Sequence, residues 1–242
     1  MTDLHTHILP SMDDGAKNAD MSLEMLRMER DQGIDTVVLT PHFYRERERV
    51  EWFLERRREA SKVLLEKLMS LPEAERNTLP RLIVGAEVAW GPNMADWPHL
   101  DKLCMGRTRN LLLELPFTPW NDQMFHQLYD LMGRTGITPV IAHIERYRSI
   151  QKKEAIEEIL SMGLPVQISA EPLLHTLSRG RELKLLRERQ AQFIASDCHN
   201  TTTRPPNVGL ALKVVEAKLG EAKVQSMARR SAELAETSFQ QA

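Results

Sequence analysis

Metal-binding types of side chain are concentrated near the start of the chain, in residues 4–15, which read LHTHILPSMDDG. This segment has two histidines two positions apart and two aspartates directly before a glycine. In an extended strand, residues i and i+2 point to the same side, so His5 and His7 can bind the same cation. Imidazole nitrogens and carboxylate oxygens are common protein ligands of transition metals. The segment therefore predicts part of a metal site.

Seven short apolar runs along the chain are typical of strands, with helical stretches between them. They are TDLH, IDTVVLT, RLIVGAEV, NLLLELPF, ITPVIAH, LPVQIS and AQFIASD. Strands that are apolar on both faces and alternate with helices are typical of a parallel sheet covered by helices. The sequence therefore predicts an α/β fold of seven βα units.

Nine residues of metal-binding types lie at or just after the ends of these runs. Because the carboxyl ends of the strands converge on one face of a βα barrel, side chains far apart in sequence can meet there. The candidate ligands are His5, His7, Asp14, His42, Glu87, Glu114, His143, Asp197 and His199. Nine ligands are enough for about three ions with three or four ligands each, carboxylates bridging. The other histidines, His99, His126 and His175, do not directly follow a predicted strand, and we expect them to be structural.

Length and composition indicate one domain over residues 1–242, because a chain of this length with 42% hydrophobic and 27% charged residues can bury a substantial core. The formal net charge of -2 argues against nucleic acid as a partner. We find no run as long as a membrane span and no secretory signal, so we expect no membrane insertion and a cytoplasmic location. Two cysteines do not suggest a disulfide framework. The oligomeric state stays open.

Helix signals predict the connections between the strands. The first helix is expected over about Asn18 to Gln32, with an asparagine N-cap and a glycine stop at Gly33. A second helix is expected around Val50 to Met69, followed by a loop in LPEAERNTLP. From about Pro205 onwards we expect one or two helices broken near Gly220 and a polar tail, TSFQQA, that frays.

Five segments resemble the PHP (polymerase and histidinol phosphatase) superfamily: DLHTHILPSMDDG, TPH, GAEV, ITPVIAHIERY and ASDCHNTTTRPP. Within that superfamily they look most like the bacterial manganese-dependent protein-tyrosine phosphatases of capsule and exopolysaccharide synthesis, and the resemblance covers nearly the whole chain. It implies a distorted (β/α)7 barrel. It also implies hydrolysis of phosphotyrosine on a bacterial tyrosine kinase that controls such synthesis, by attack of a metal-bound hydroxide on phosphorus.

The same resemblance implies a division of the nine ligands among three divalent ions, with manganese as the metal and iron or zinc as alternatives. One ion would be held by His5, His7, Glu87 and Asp197, a second by Glu87, Glu114 and His143, and a third by Asp14, His42 and His199. Arg146 in HIERY and Arg204 in TTTRPP match the family's phosphate-binding arginines. They would clamp the phosphate, because a guanidinium can donate two parallel hydrogen bonds.

The chain departs from the family pattern in two places, which leaves the choice of substrate open. The stretch FYRERERVEWFLERRR after TPH does not look like the family's usual loop, and Ala170 follows VQIS where a polar residue is more familiar. The main alternative function is a small-molecule phosphatase such as a histidinol-phosphate phosphatase. Exonuclease activity fits the negative net charge less well. A non-catalytic binder would lack ligands, whereas all nine positions are filled.

The charged stretch from Arg45 to Arg58 allows two interpretations. Runs of mixed charge are usually solvated helix faces, and the alternative is a rim that selects an acidic, tyrosine-phosphorylated peptide tail. Within the stretch, we expect Trp52 and Phe53 to pack inward.

Asp13, near Gly15, is expected to be a turn residue.

A rival mechanism is contained in CHNTTTR, residues 198–204, which has the Cys-x5-Arg spacing of thiol-based tyrosine phosphatases. Such a loop must wrap backbone amides around the phosphate, usually with glycines, and this one has none. Strand alternation also points Cys198 away from Asp197 and His199. We therefore expect Cys198 to be a small packed residue. A chelator separates the two mechanisms, because a thiolate enzyme tolerates it.

Overall fold

The computed structural model describes residues 1–235, in which short strands alternate with helices. The strands are β1 (Thr2–Thr6), β2 (Thr36–Leu39), β3 (His42–Phe43), β4 (Arg81–Val84), β5 (Glu87–Ala89), β6 (Asn110–Glu114), β7 (Thr138–Ile141), β8 (Gln167–Ser169) and β9 (Phe193–Ala195). The helices are α1 (Ala19–Asp31), α2 (Val50–Met69), α3 (Glu73–Arg76), α4 (Asp122–Thr135), α5 (Lys153–Ser161), α6 (Glu171–Leu174), α7 (Thr176–Arg187), α8 (Val208–Leu219) and α9 (Glu221–Ala235). The alternation confirms the α/β class.

All strand pairs are parallel, and they form three sheets: β1-β2-β4, β3-β5-β6-β7 and β8-β9. Isolated parallel bridges join neighbouring sheets, since Thr6 pairs with Cys198 after β9, and Ile141 in β7 pairs with Val166 before β8. Apart from β4, whose residues are partly or fully exposed, the strands are mostly buried, as expected for a parallel sheet covered by helices. The strand ends of all three sheets can therefore contribute to one site.

Each predicted strand run contains a strand, but one run is interrupted. In RLIVGAEV the chain leaves β4 at Val84 and resumes pairing at Glu87 in β5. A short strand not predicted from the sequence, β3, follows β2 after Thr40 and Pro41 and pairs with β5. The interruptions shift pairing from the first sheet to the second just where His42 and Glu87 are needed side by side.

The predicted helices are confirmed with small differences. Asn18 caps α1, because its Oδ1 accepts a hydrogen bond of 2.9 Å from the backbone N–H of Met21. Helix α2 has the predicted bounds, and Gly220 separates α8 from α9 as expected. The tail TSFQQA lies outside the described residues. Among residues 1–235, no helix is long and apolar enough to cross a membrane.

Two expectations about the second connection are wrong. The predicted loop LPEAERNTLP contains the short helix α3, which begins after Pro72 and has Glu73 and Glu75 in its first turn, where acidic side chains stabilise a helix. Trp52 is 61% exposed, whereas Phe53 is fully buried as expected. Successive helical residues are about 100° apart, so the turn of α2 that buries Phe53 directs its neighbour outward.

The start of α8 is pressed against the end of α1. The side-chain amide of Gln32, the residue after α1, donates a hydrogen bond of 2.7 Å to the carbonyl oxygen of Pro206. A Cβ atom on Gly209 would lie 2.5 Å from the backbone oxygen of Gln32, which is closer than non-bonded atoms approach. Only glycine allows these two helices to meet so closely.

We predict that Gly209→Ala destabilises the protein by about 1–3 kcal/mol, because the added methyl group overpacks the contact between α1 and α8. Gly180→Ala in α7 is the control, since a Cβ there meets nothing within 4 Å. The control should be neutral or up to about 1 kcal/mol more stable, because alanine favours the helix. Urea unfolding monitored by circular dichroism measures both. Equal unfolding midpoints for the two variants would contradict the close-approach explanation.

Candidate metal centre

The ends of β1 and β9 and the start of β5 bring four of the nine predicted ligands together. The Nε2 atoms of His5 and His7 are 3.1 Å apart. Both face Glu87, whose Oε2 lies 3.2 Å and 3.4 Å from them, and Asp197, whose Oδ1 lies 3.5 Å and 3.3 Å away. All four side chains are buried. Two imidazole nitrogens and two carboxylate oxygens at such distances are arranged to surround a cation.

A second group extends from Glu87 towards β6 and β7. Nε2 of His143 lies 2.9 Å from Oε1 of Glu87 and 3.4 Å from Oε1 of Glu114. Glu114 lies at the end of β6 and is accessible from outside the cluster, with a side chain 14% exposed. Glu87 therefore stands between the first group and the second.

The third group is the most exposed. Oδ1 of Asp14 lies 3.5 Å from Nε2 of His42 and 3.4 Å from Nε2 of His199, and the Asp14 side chain is 68% exposed. The groups are less separate than the sequence implied. Potential ligand atoms of His42, Glu87 and Glu114 come within 4.8 Å of one another, as do those of His7, Asp14, His42 and His199. All nine predicted ligands thus lie in one continuous cluster.

Two of the clustered residues adopt a backbone conformation that is unusual outside glycine. His143 follows shortly after β7 with φ of 30°, and Asp197 follows β9 with φ of 52°. Such left-handed residues cost about 1–3 kcal/mol each and are often found at functional sites. Backbone hydrogen bonds hold Asp197 in place, because its N–H donates to the carbonyl oxygen of His5 at 2.9 Å. The fold thus turns both side chains towards the cluster at a cost in backbone energy.

Two residues that the sequence did not assign to the site orient its histidines. Asp13 Oδ2 lies 2.7 Å from Nδ1 of His7, and it also accepts the backbone N–H of His42. Asp13 does make the predicted turn, accepting the N–H of Gly15. Gln167, in β8, has its Oε1 atom 3.0 Å from Nδ1 of His5. Because Asp13 and Gln167 contact the Nδ1 atoms, the Nε2 atoms of His7 and His5 are directed into the cluster. Metal-binding histidines are commonly oriented in this way by a partner on their other nitrogen.

Hydrogen bonding inside the cluster is incomplete in a way that fits bound cations. Within residues 1–235, the buried Nε2 atom of His199 has no hydrogen-bond partner, and Oε2 of Glu87 contacts the imidazoles of His42 and His5 without a hydrogen bond of good geometry. Buried polar atoms are nearly always paired, because an unpaired one costs about 1–3 kcal/mol. Here, imidazole nitrogens and carboxylate oxygens meet without a hydrogen-bond donor for every acceptor. Such nitrogen and oxygen atoms are the ligands that divalent transition metals prefer. The residues present therefore fit a multinuclear metal site.

The protein compensates the buried carboxylates with positive charge. Burial acts to raise the pKa of Glu87 and of Asp197, but nearby imidazoles, His5 foremost, hold both pKa values well below their usual range. Burial likewise acts to lower the pKa of His143, yet hydrogen bonds to Glu114 and Glu87 raise it to about 9. The pKa of His7 is raised well above its usual value by Asp13, Asp197 and Glu87 against the effect of burial. Without metal, protons on these histidines supply the charge that cations would supply.

Both predicted arginines lie at the edge of the cluster and contact its buried carboxylate. Arg146 and Arg204 each donate a hydrogen bond from Nη2 to Oδ2 of Asp197, at 2.7 Å for Arg204. Each arginine side chain is more than one third exposed. The two guanidinium groups are thus anchored at the cluster while part of each remains accessible to an incoming anion.

The remaining histidines and the cysteine stay outside the cluster, as predicted. His99, His126 and His175 are exposed. Cys198 is buried on the other side of its strand, with Sγ 3.9 Å from Oε1 of Glu29, and burial raises the pKa of its thiol well above the usual value. A thiol that stays protonated is a poor nucleophile.

The loop after Cys198 also lacks the free amides that a thiol mechanism requires. The backbone N–H groups of Thr202, Thr203 and Arg204 all donate to Oδ1 of Asn200. They are therefore not available to bind phosphate oxygens. The Cys-x5-Arg spacing is not accompanied by the geometry of a thiol-based phosphatase.

Comparisons with known proteins agree with a metal site. Residues 1–235 match the family model described as "Capsular polysaccharide synthesis, CpsB/CapC". The chain is 30% identical to the tyrosine-protein phosphatase CpsB of Streptococcus agalactiae serotype III, covering 94% of each chain, and 32% identical to the tyrosine-protein phosphatase YwqE of Bacillus subtilis, covering 97% of this chain and 91% of the relative. A structure solved in a study of YwqE from Bacillus subtilis and CpsB from Streptococcus pneumoniae, described as metal-dependent tyrosine phosphatases, superposes with a TM-score of 0.81 at 29% identity. It covers 97% of this chain and 94% of that one.

We predict that Mn²⁺ binding by metal-free protein releases protons at neutral pH. At pH 7, below the raised pKa values of His7 and His143, both imidazoles carry a proton, and a histidine must lose that proton to bind a metal. His199, with a pKa lowered to about 4 by burial and by His7, contributes none. Protons from His7 and His143 should therefore be released, and calorimetry in buffers of different ionisation enthalpy measures the release. An apparent affinity that does not rise between pH 6 and pH 8 would contradict the assignment.

We also predict that Asp13→Asn weakens Mn²⁺ binding about 10–100-fold, because it removes the carboxylate that orients His7. Asp20→Asn is the matched control, since Asp20 is 79% exposed and, among the described residues, forms an ion pair only with Lys67 on the surface. Titration of metal-free protein with Mn²⁺, followed by equilibrium dialysis, gives both affinities. If the two variants bind Mn²⁺ equally well, Asp13 has only its role in the turn.

Proposed function

Since the chain belongs to the CpsB/CapC family of capsular polysaccharide synthesis, we propose that it is a metal-dependent protein-tyrosine phosphatase. The observation that carries this proposal is a buried cluster of histidines and carboxylates with two arginines at its edge. A phosphate monoester dianion needs its charge neutralised and a nucleophile placed in line with the bond to be broken. Relatives aligned over nearly the whole chain are named tyrosine-protein phosphatases, which supports the choice of ester.

The nine clustered residues are the proposed ligands of three divalent ions, with Mn²⁺ as the proposed metal. Their division is proposed as His5, His7, Glu87 and Asp197 for one ion, Glu87, Glu114 and His143 for the second, and Asp14, His42 and His199 for the third. When bound, such ions supply Lewis-acid charge neutralisation and lower the pKa of a coordinated water. Glu87 is the proposed ligand shared by the first two ions, which the contacts of its Oε2 with His5 and of its Oε1 with His143 support.

Arg146 and Arg204 are the proposed phosphate-binding residues. Each already donates one hydrogen bond to Asp197, and a guanidinium has five N–H donors, so donors remain for phosphate oxygens. Because the anchoring carboxylate is buried, the two arginines are held in position before the substrate arrives. They would bind and orient the phosphoryl group and stabilise the negative charge that it carries in the transition state.

The leaving group and the rim of the site fit a phosphotyrosyl protein. A tyrosine phenolate, with a pKa of about 10, departs more easily than an alkoxide. A cavity of about 660 Å³ opens beside His42 and is lined by Tyr44, Arg47 and Arg56 among others. In the same charged stretch, Arg56 already donates hydrogen bonds of 2.6 Å to Glu48 and to the carbonyl oxygen of Met12, and Arg58 pairs with Glu55 on the surface. We propose that Arg47 contacts acidic residues beside the phosphotyrosine, and that the physiological substrate is a bacterial tyrosine kinase.

The finer features of the architecture are part of the same proposal. The bridges Thr6 to Cys198 and Ile141 to Val166 support a single distorted (β/α)7 barrel of the PHP type. A single domain over residues 1–242 and a cytoplasmic location stay predictions of the sequence.

We predict that the protein releases phosphate from a phosphotyrosyl peptide, loses this activity after chelation and recovers it with Mn²⁺. Histidinol phosphate, measured in parallel, should be the poorer substrate by kcat/KM. A preference for histidinol phosphate would replace the tyrosine assignment and leave the metal site in place. Activity that survives complete removal of metal would overturn the metal mechanism.

Arg146→Gln and Arg204→Gln should each lower kcat/KM about 10²–10³-fold, which is the usual effect of removing one donor to a transition state. Arg58→Gln is the control, because Arg58 lies on the outer face of α2 with a side chain 62% exposed. The metal content of each variant, measured by atomic absorption, separates phosphate binding from metal loss. Wild-type kcat/KM in both arginine variants would exclude the proposed roles.

A further inference from the structure

Five basic residues line a cleft of about 710 Å³ that the metal cluster does not include. We call it the basic cleft and define it by Arg187 at the end of α7, Arg189 in the following loop, Lys218 at the end of α8, and Lys223 and Arg230 in α9. The lining contains no aspartate or glutamate. A chain with a net charge of -2 has no general excess of cations, so this concentration of positive charge is local.

The cations of the basic cleft are mostly unpaired. Among residues 1–235, only Arg230 forms an ion pair, at 3.4 Å from Glu233. Several arginines elsewhere on the surface do have carboxylate partners, as Arg134 has in Asp130 at 2.9 Å. An uncompensated group of cations is electrostatically unfavourable unless an anion binds between them.

The helix dipole explains the positions of only some of the cations in the basic cleft. Cations are favourable at the carboxyl ends of helices, which accounts for Arg187 in α7 and Lys218 in α8. The same effect is unfavourable for Lys223, which lies in the first turn of α9, where the helix end is itself positive. It does not explain Arg189, which lies beyond the end of its helix. A ligand-binding role accounts for all of these cations.

Arg189 is held in a conformation that normally selects glycine. Its φ is 59°, in the left-handed region directly after α7. The loop is fixed on both sides, because the N–H of Gln190 donates to the carbonyl oxygen of Leu185 at 3.0 Å and the Gln192 side chain donates to the carbonyl oxygen of Arg189 at 3.0 Å. An arginine kept where glycine is favoured, on a fixed backbone, is positioned before a ligand arrives.

The surroundings of Lys223 also indicate repulsion between the cations of the basic cleft. It is only partly exposed, and burial together with the nearby Arg189 guanidinium lowers the pKa of its ammonium group. Two like charges from separate elements thus line the same cleft. An anion between them would reverse this effect.

We propose that the basic cleft binds an oligophosphate, meaning two or more linked phosphoryl groups, either free or carried by a nucleotide. Five cations exceed what a single phosphate dianion neutralises. The volume suits a small ligand, Ser226 supplies a hydroxyl group, and Ala191 and Leu219 supply apolar wall.

The basic cleft is separate from the metal cluster. Gln192 lines the cleft just before β9, whereas Asp197 lies in the cluster beyond the end of β9. A variant in one site therefore need not disturb the other, and binding at each site can be measured independently.

Equilibrium dialysis of the Mn²⁺-loaded protein against pyrophosphate and against ADP, at fixed free Mn²⁺, tests the proposal. Arg189→Gly removes the guanidinium and suits the left-handed backbone, and Lys223→Gln removes the second charge. Each should weaken binding of both probes at least about tenfold, because a charge-assisted hydrogen bond is lost. Arg229→Gln, an exposed neighbour in α9 outside the cleft lining, should bind as the wild type does.

Phosphate probes also suit the metal cluster, so the double variant Arg146→Gln, Arg204→Gln is measured in parallel. Binding that persists in this variant and is lost in Arg189→Gly and Lys223→Gln supports the basic cleft. Binding lost only in the double variant, or no binding by the wild type at millimolar probe, overturns the proposal. Equal affinities for pyrophosphate and ADP identify the phosphate chain alone as the ligand, and tighter binding of ADP shows that the nucleoside contributes. Peptide phosphatase activity and urea midpoints verify that the cleft variants are folded.

Discussion

The buried carboxylate of Glu87 is the constraint on which the arrangement of the strands depends. Its oxygens lie 2.8 Å from His42, 2.9 Å from His143 and 3.2 Å from His5, yet the residue is only 1% exposed. A charge so far from water is costly unless positive charge surrounds it. Strands β1 and β7 must therefore end, and β3 must begin, close to the start of β5. The breaks in strand pairing before β3 and β5 are what make this possible.

The rest of the site limits the freedom of the groups around that carboxylate. Asp13 and Gln167 fix the imidazole rings of His7 and His5 from outside, and Asp197 holds the arginines. A catalytic site works best when its groups are already oriented, because little reorganisation is then needed during the reaction. The left-handed backbone of Asp197 is a local cost that the surrounding hydrogen bonds can sustain.

The sequence predicted the membership of the cluster better than its internal arrangement. Residues that can bind a metal, such as His143 and Asp197, come at the ends of the predicted strands. The alternation of strands with helices, and the convergence of strand ends in such a fold, were therefore enough to find them. Asp13 was missed as an orienting residue because its turn with Gly15 is an equally good local explanation, and Gln167 because a glutamine within an apolar run carries no ligand signal of its own. Contacts across the chain decide both roles.

The errors in the fold have a similar physical origin. Proline and asparagine in LPEAERNTLP indicate a loop, but its acidic residues were enough to stabilise the single turn of α3. Trp52 and Phe53 are both apolar, and only the helix rotation set by tertiary packing decides which one is buried. Local pattern can identify an element, whereas its orientation depends on neighbours that are distant in sequence.

The backbone contacts between the first strand and the segment after the last one affect how the protein matures in the cell. The N–H of Asp197 donates to the carbonyl oxygen of His5, and the N–H of His7 donates to that of Cys198, so the site joins two segments that are far apart in sequence. Contacts of such long range form late, because closing a large loop costs entropy before any contact repays it. During translation, the early histidines leave the ribosome long before their partners exist. The metal centre as a whole is therefore completed only after Asp197 and His199 have been synthesised, and full metal loading must follow that point.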